Sequence, residues 1–470
     1  MAQGADAEEE ESAPQDDQFD PFHPNTYYNV GTKLIQQHRP LEAIAYFTES
    51  IKLHPENVDA YYNRGLAYVD LRMYKEAIKD FTHCVKARPK FADGFLNRGA
   101  AYDVLGDIKS AVNDYTQAIQ CGAGDADAYY NRGTAYFLLN DCHRAISDLS
   151  RSLDLNPKQP KAHDYRARAY LKLGKTNEAL KDLNATITGE RGNSEAYEMR
   201  ANAYLSLNQY SNAVHDYSEA LRLNPRLEAL YLKRSYAHTR AGKANLGVVD
   251  ANEAIKIKEY RGKGFSLRAF AQLALGDLSG AMGDCEMAKE AGFDDYLVHF
   301  VRGLVAQKKS NTPLAIEELS RSIALNPKFD EAYYNRGLVL CAKNDYKSAV
   351  ADFEQSVRLD PANANSHNNL GYTLIKVGEN EKALAALNRS IELDCWSAQA
   401  FSNRGLAELR LGQNELARQD CRRAIQMKPE LADAHYNLGL VLEADGDNNA
   451  ASEEFAKAKQ LDPRLAEAIH

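Results

Sequence analysis

The stretch DEAYYNRGLVLCAKNDYKSAVADFEQSVRLDPAN, residues 330–363, decides the fold. Steps of 34 residues from its Gly337, in both directions, land on Gly31, Gly65, Gly99, Gly133, Ala167, Ala201, Ser235, Ala269, Gly303, Gly371, Gly405 and Gly439. Every one of these residues is small, and the frame runs through thirteen copies without insertion or deletion. A fixed interval of this length marks a stacked array of repeats, each burying its apolar face on its neighbours. With slot 1 at Pro24, the copies occupy Pro24 through Leu465.

Other slots say what one copy is made of. Slot 20, Ala349 in the quoted stretch, is alanine everywhere except Gly247. Slot 27 is Ala, Ser, Thr or Cys throughout, from Ser50 and Cys84 to Ala458. Small residues at slots 8, 20 and 27 let helix backbones approach closely. Slot 32 is often proline (Pro55, Pro89, Pro157, Pro361, Pro463), which cannot continue a helical hydrogen-bond ladder. Slot 15 is Gly or Asn in ten copies, among them Gly106, Asn140 and Asn344. This is the left-handed residue just past a helix end. Each copy is therefore expected to form helix A, a tight turn and helix B.

Together these residues resemble the tetratricopeptide repeat (TPR) family over almost the whole chain. The resemblance implies an all-α, right-handed superhelical solenoid of thirteen helix-turn-helix repeats, with the helix A faces lining a concave groove. The reading divides the chain into an acidic tail (1–23), repeats 1–4 (24–159), more divergent repeats 5–9 (160–329), repeats 10–13 (330–465) and a stub (466–470). The tail holds Asp6, Glu8, Glu9, Glu10, Glu11, Asp16, Asp17 and Asp20, with no Lys or Arg. It is expected to be disordered, since such a composition cannot support a core. The stub is too short for the solvating helix of many such arrays, so the polar last helix is expected to cap the end itself or to be covered by a partner.

Composition narrows the function classes. The net charge of −9 comes almost entirely from the tail, and the repeat body is close to neutral. No basic stripe speaks for nucleic acid. The acidic start lacks the apolar core of a signal peptide, and no apolar run suits membrane insertion. Seven cysteines lie scattered, as expected of a reducing cytoplasmic setting without a disulfide framework. No Walker loop, HExxH or GxSxG motif supports an enzyme, so neither a catalytic residue nor a cofactor is expected. Four histidines, His163, His299, His367 and His435, share slot 4. A metal site would need them to converge, and one-repeat spacing keeps them apart, so they are read as packing residues. The sequons at Asn184 and Asn388 place Thr186 and Ser390 in tight slot 27 and are read as chance. Phe19-Asp20-Pro21-Phe22 is read as an apolar segment packing on the first repeat rather than an adaptor motif.

The copies serve as an internal alignment. Slot 7 is Arg in ten of them, and slot 23 of the same copy is then acidic, as in Arg64 with Asp80, Arg132 with Asp148 and Arg302 with Glu318. Where slot 7 is Val30 or Leu370, slot 23 is Tyr46 or Ala386; only Leu438 keeps an acid, Glu454. The covariation predicts a staple between helix A and helix B of one repeat, the arginine fork bonding both carboxylate oxygens.

Helical spacing turns slot 6 away from helix B. That slot holds two runs of asparagine: Asn29, Asn63, Asn97, Asn131, then Asn335, Asn369, Asn403, Asn437. An amide carries a donor and an acceptor, so such a row can grip the main chain of an extended peptide. The runs look like the asparagine ladder in the TPR superhelix of O-linked N-acetylglucosamine transferase, whose catalytic domain is absent here. The alternative is a consensus feature of the repeat. Between the runs, Leu232, Tyr236, Leu267, Phe270, Phe300, Val301 and Leu304 form an apolar cluster. It is read either as an exposed partner patch or as part of a softer segment, since Glu259 and Phe293 replace the slot-32 proline. Relatives that clamp chaperone tails carry Lys in slot 5 and Asn in slot 9. Here slot 5 has no Lys and only Asn202 fills slot 9, which disfavours that function.

The expectation is a non-enzymatic scaffold that binds extended or helical segments of other proteins. Two alternatives stand beside it: a structural subunit of a large assembly such as a cilium or flagellum, and a subunit that recruits substrates to a separate enzyme.

Overall fold

The computed structural model describes residues 25–467. The acidic tail and the Phe19–Phe22 motif lie outside the described residues. Within them are 26 α-helices, no strand and one short 3-10 segment, Pro463–Glu467. The helices pair as thirteen repeats, the first being Thr26–Gln36 with Pro40–Leu53 and the last Ala432–Ala444 with Asn448–Leu461. The fold is all-α, as the slots predict.

The turn inside each repeat is uniform. All thirteen slot-15 residues have positive φ. Glycine and asparagine tolerate this conformation. His38, Arg72 and Ser310 also adopt it, at φ of 57°, 59° and 58°. The turn is thus set by the packing of the helices it joins, even where the residue disfavours it.

The small slots make room for specific neighbours. A Cβ on Gly65 would sit 2.6 Å from Cε1 of Phe81, a fully buried slot-24 ring on the facing helix B. Slot-27 hydroxyls fasten helix B to the start of helix A: Ser152 Oγ donates to the Ala126 carbonyl at 2.8 Å, and Ser390 Oγ to that of Ala364 at 2.9 Å.

The chain divides into two compact units, one ending at Pro225 and the other beginning at Arg226. Within each, helix A packs on its own helix B, and helix B on the next helix A. Consecutive A helices also touch, most extensively along Ala229–Arg240, Arg261–Ala274 and Tyr296–Lys308, and again in repeats 11–13.

Candidate binding surface

The slot-7 arginines are committed to structure. Arg132 Nε and Nη2 donate to the two carboxylate oxygens of Asp148 at 2.7 and 2.9 Å. The same fork joins Arg64 to Asp80 at 2.8 Å twice, and Arg404 to Asp420 at 2.5 and 2.9 Å. The predicted pairing within one repeat is present. The third guanidinium nitrogen does more than the pairing foresaw. Arg132 Nη1 reaches Thr116 Oγ1 of the preceding repeat at 3.3 Å, and Arg166 Nη1 reaches Ser150 Oγ at 3.0 Å. One guanidinium therefore ties three helices. Rings of slots 4 and 11 flank it, as with Tyr129 and Tyr136 at 5.8 and 5.9 Å from Arg132 Cζ.

Slot-4 histidines join the same network. His163 Nδ1 lies 2.8 Å from Asp182, the acid that Arg166 also holds. Burial alone would raise the Asp182 carboxyl, but the bonds from Arg166 and His163 outweigh it and hold that group below its ordinary value. Arg302 gives one bond to Glu318, at 2.7 Å, and His299 takes the other oxygen at 2.6 Å. In repeat 13, where Leu438 replaces the arginine, His435 Nδ1 sits 2.5 Å from Glu454. That contact explains the one acid that survives without its arginine. His367 has Ala386 in the slot of the acid, and its Nε2 lies 3.2 Å from the Pro361 carbonyl. Each histidine is thus engaged within its own neighbourhood.

The asparagine runs are less open than slot geometry suggested. Asn63 Nδ2 donates to Tyr28 Oη at 3.0 Å, Asn97 to Tyr62 at 3.0 Å and Asn369 to Tyr334 at 3.1 Å. Each bond spans 35 residues, from slot 6 to slot 5 of the preceding repeat. Burial pushes the Tyr62 hydroxyl up to about 12, with the Asn97 amide pulling the other way. In the second run Asn403 donates to Asn368 Oδ1 at 2.9 Å, and Asn437 to the Ser402 carbonyl at 3.1 Å. Asn403 and Asn437 are only 4% exposed, so slot 6 does enter the core there, contrary to the expectation. Asn335 instead donates to its own helix, at the Glu331 carbonyl, 2.7 Å away. Slot 5 offers no oxygen to Asn131, facing Leu96, or to Asn335, facing Phe300. Asn29 is exposed.

The middle apolar cluster is a correction. Leu232, Leu267, Phe270, Phe300 and Val301 are buried, and Tyr236 and Leu304 pack partly buried against them. The cause is the close approach of consecutive A helices, which an isolated helix pair does not reveal. Tyr236 stacks on Phe270 at 5.8 Å, and Phe300 meets Phe329 edge-on at 4.9 Å. Arg240 in repeat 7 then reaches Glu331 in repeat 10, with 2.6 Å between Nη1 and Oε1. Burial raises the Glu331 carboxyl, and Arg240 opposes that rise. Repeats 7–10 therefore fill their own helix A face with rings and lock it with an ion pair, and present no exposed apolar patch there.

Family models agree with this architecture. Tetratricopeptide-repeat models match residues 58–91 and 194–227, 96–160 and 130–196, and 364–394 and 432–465. A TPR repeat model matches 337–378 and 405–446. The chain belongs to the tetratricopeptide-repeat family. Among solved structures, the TPR chain is similar to one from the APC/C hetero-tetramer Cut9-Hcn1, at 16% identity and TM-score 0.46, covering 89% of this chain and 90% of that one. Yeast Tom70 matches at 16% identity and TM-score 0.37, with 95% and 98% covered. YrrB, described as a TPR protein with an unusual peptide-binding site, matches at 21% identity and TM-score 0.36, with 38% and 92% covered. These likenesses concern the fold. No curated protein matches the TPR chain.

Glu408 is a residue that sequence reading passed over. It occupies slot 11, where repeats 2–6 of the TPR array carry tyrosine. It is buried, its Oε2 has no hydrogen-bond partner, and its Oε1 lies 3.8 Å from Arg404 Nε. Burial and the nearby Asp420 raise its carboxyl to about 7. The signal was available as the lone acid in a slot that otherwise holds aromatic or aliphatic residues and one glutamine, Gln272.

Proposed function

We propose that this TPR chain is a non-enzymatic scaffold that holds extended segments of other proteins on its helix A faces. One observation carries the reading: in both runs slot-6 amides are anchored from behind. Asn63, Asn97 and Asn369 spend Nδ2 on the preceding repeat and keep Oδ1 without a donor among the described residues. A row of oriented acceptors, one per repeat, suits the main-chain N–H groups of an extended peptide. The sites are Asn29, Asn63, Asn97 and Asn131 in the first unit, and Asn335, Asn369, Asn403 and Asn437 in the second. No described helix is long and apolar enough to cross a membrane. Burial of Asn403 and Asn437 favours a second reading for the C-terminal run, in which its amides chiefly hold the stack as in a structural subunit.

The structure offers a clean test. Asn29→Ala with Asn131→Ala leaves the Asn63–Tyr28 and Asn97–Tyr62 bonds in place. Partners recovered by pull-down with the full chain should bind this variant more weakly, by about 1 kcal/mol per lost contact, with unchanged thermal unfolding. Full retention of every partner at wild-type affinity would exclude the first run as a binding tract.

A further inference from the structure

Slot 13 closes helix A in twelve repeats, and among its thirteen residues only Val104 and Leu138 are large and apolar. They end the adjacent helices Ala92–Val104 and Ala126–Leu138, which touch each other. Val104 is 61% exposed and Leu138 56%, and the residues that follow, Leu105 and Leu139, are exposed as well. Elsewhere this slot holds a polar or charged residue or alanine. Scattered surface leucines need no explanation, but two exposed pairs on neighbouring repeats make one apolar step.

The charge beside the step says what covers it. Neither helix has a basic residue in its last turn. Each C-terminus carries partial negative charge from its unpaired carbonyls. Asp103, half-buried next to Val104, has no ion-pair partner among the described residues, and burial raises its carboxyl above the ordinary value. In the next repeat Lys172 Nζ sits 4.3 Å over the Phe137 ring and 3.2 Å from Asn140 Oδ1, where it is already engaged. Arg144 is engaged by Asp141 at 2.6 Å. Self-association through this step would set one Asp103 near another.

We propose that the step formed by Val104, Leu105, Leu138 and Leu139 docks a partner segment that is apolar on one side and carries Lys or Arg beside it. The apolar side chains cover the step, and the cation sits against Asp103 and the end of the Ala92–Val104 helix. Val104 and Leu138 lie two helical turns beyond Asn97 and Asn131 on the same helix A face, so the proposal rests on that face being the binding face but not on the asparagine amides themselves.

The experiment selects a random 12-residue display library on the full chain, then titrates labelled synthetic versions of the enriched peptides by fluorescence anisotropy. Enriched sequences should pair apolar residues with Lys or Arg. Val104→Ser with Leu138→Ser should weaken them about tenfold or more, and Asp103→Asn about threefold, with a flatter salt dependence. Leu41→Ser with Leu416→Ser, at exposed leucines elsewhere, should change nothing, and circular dichroism melts confirm that each variant is folded. No enrichment, acidic winners, or equal binding by the Val104/Leu138 variant would overturn the proposal. Loss of binding in the Asn29/Asn131 variant alone would assign the peptides to the asparagine run and overturn it too. So would a concentration-dependent dimer in sedimentation that the serine variant abolishes, since a second copy would then be the occupant.

Discussion

Replacing Arg132 by leucine should destabilise repeats 3–5 by about 3 kcal/mol, and replacing Asp148 by alanine in the same chain should return most of that loss. The magnitude follows from the contacts. Arg132 gives Asp148 two charge-assisted bonds, at 2.7 and 2.9 Å, and gives Thr116 a third at 3.3 Å. Asp148 is buried. Removing one partner of a buried pair costs about 3–5 kcal/mol because the other charge is stranded. The guanidinium edge remains partly wet, which favours the lower figure. Replacing both partners strands nothing. Thr116 is not orphaned either, since its Oγ1 already donates to the Val112 carbonyl at 2.7 Å. Repeat 11 carries this apolar solution naturally, as Leu370 with Ala386. A coupling of about 3 kcal/mol is therefore expected between the two sites, at the upper end for residues that share one network. A solenoid need not unfold in one step. The assay is accordingly amide hydrogen exchange in Ala126–Leu138 and Cys142–Leu155, with urea denaturation alongside. A double variant whose loss equals the sum of the two single losses would refute the pairing as an energetic unit.

Three further outcomes are expected. Glu408 has its carboxyl raised to about 7 from 4.5, so the folded chain keeps that proton longer than the unfolded one; the stability it contributes is full below about pH 4.5 and is lost as pH rises through about 7. Melting curves from pH 5 to 8 should show wild type falling relative to Glu408→Gln, and parallel curves would contradict the assignment. Arg72 holds φ at 59°, so Arg72→Gly should stabilise the chain by roughly 1 kcal/mol, measured as a higher urea midpoint. Phe300→Ala should cost about 3–5 kcal/mol, because the ring is a core residue of repeats 7–10; a folded variant of unchanged stability that has only lost a partner would restore the surface reading.

The repeat frame was legible because each slot is printed thirteen times. Gly65 needs its smallness against Phe81, and the sequence shows the same small residue at every equivalent position. The staple was legible for a related reason: slots 7 and 23 change together, so the copies report a contact no helical wheel contains. The misreadings share one cause. A wheel drawn for a single helix pair leaves slots 5 and 6 facing solvent, whereas the next helix A covers them in part. Asn403, Asn437, Phe300 and Val301 were consequently placed outside the core that holds them. Arg132 to Thr116 escaped notice because that spacing, 16 residues, crosses the repeat boundary. Arg240 to Glu331 escaped because it joins repeats three apart, and no period displays a contact made once. The same logic indicates where partners bind in such an array. A slot that departs from the period and whose loss is made good by a neighbour, as His435 holds Glu454 where Leu438 replaces the arginine, is explained by folding. A departure whose side chain stays mostly exposed, as Val104 and Leu138 do at the ends of their helices, is not explained by folding in this way.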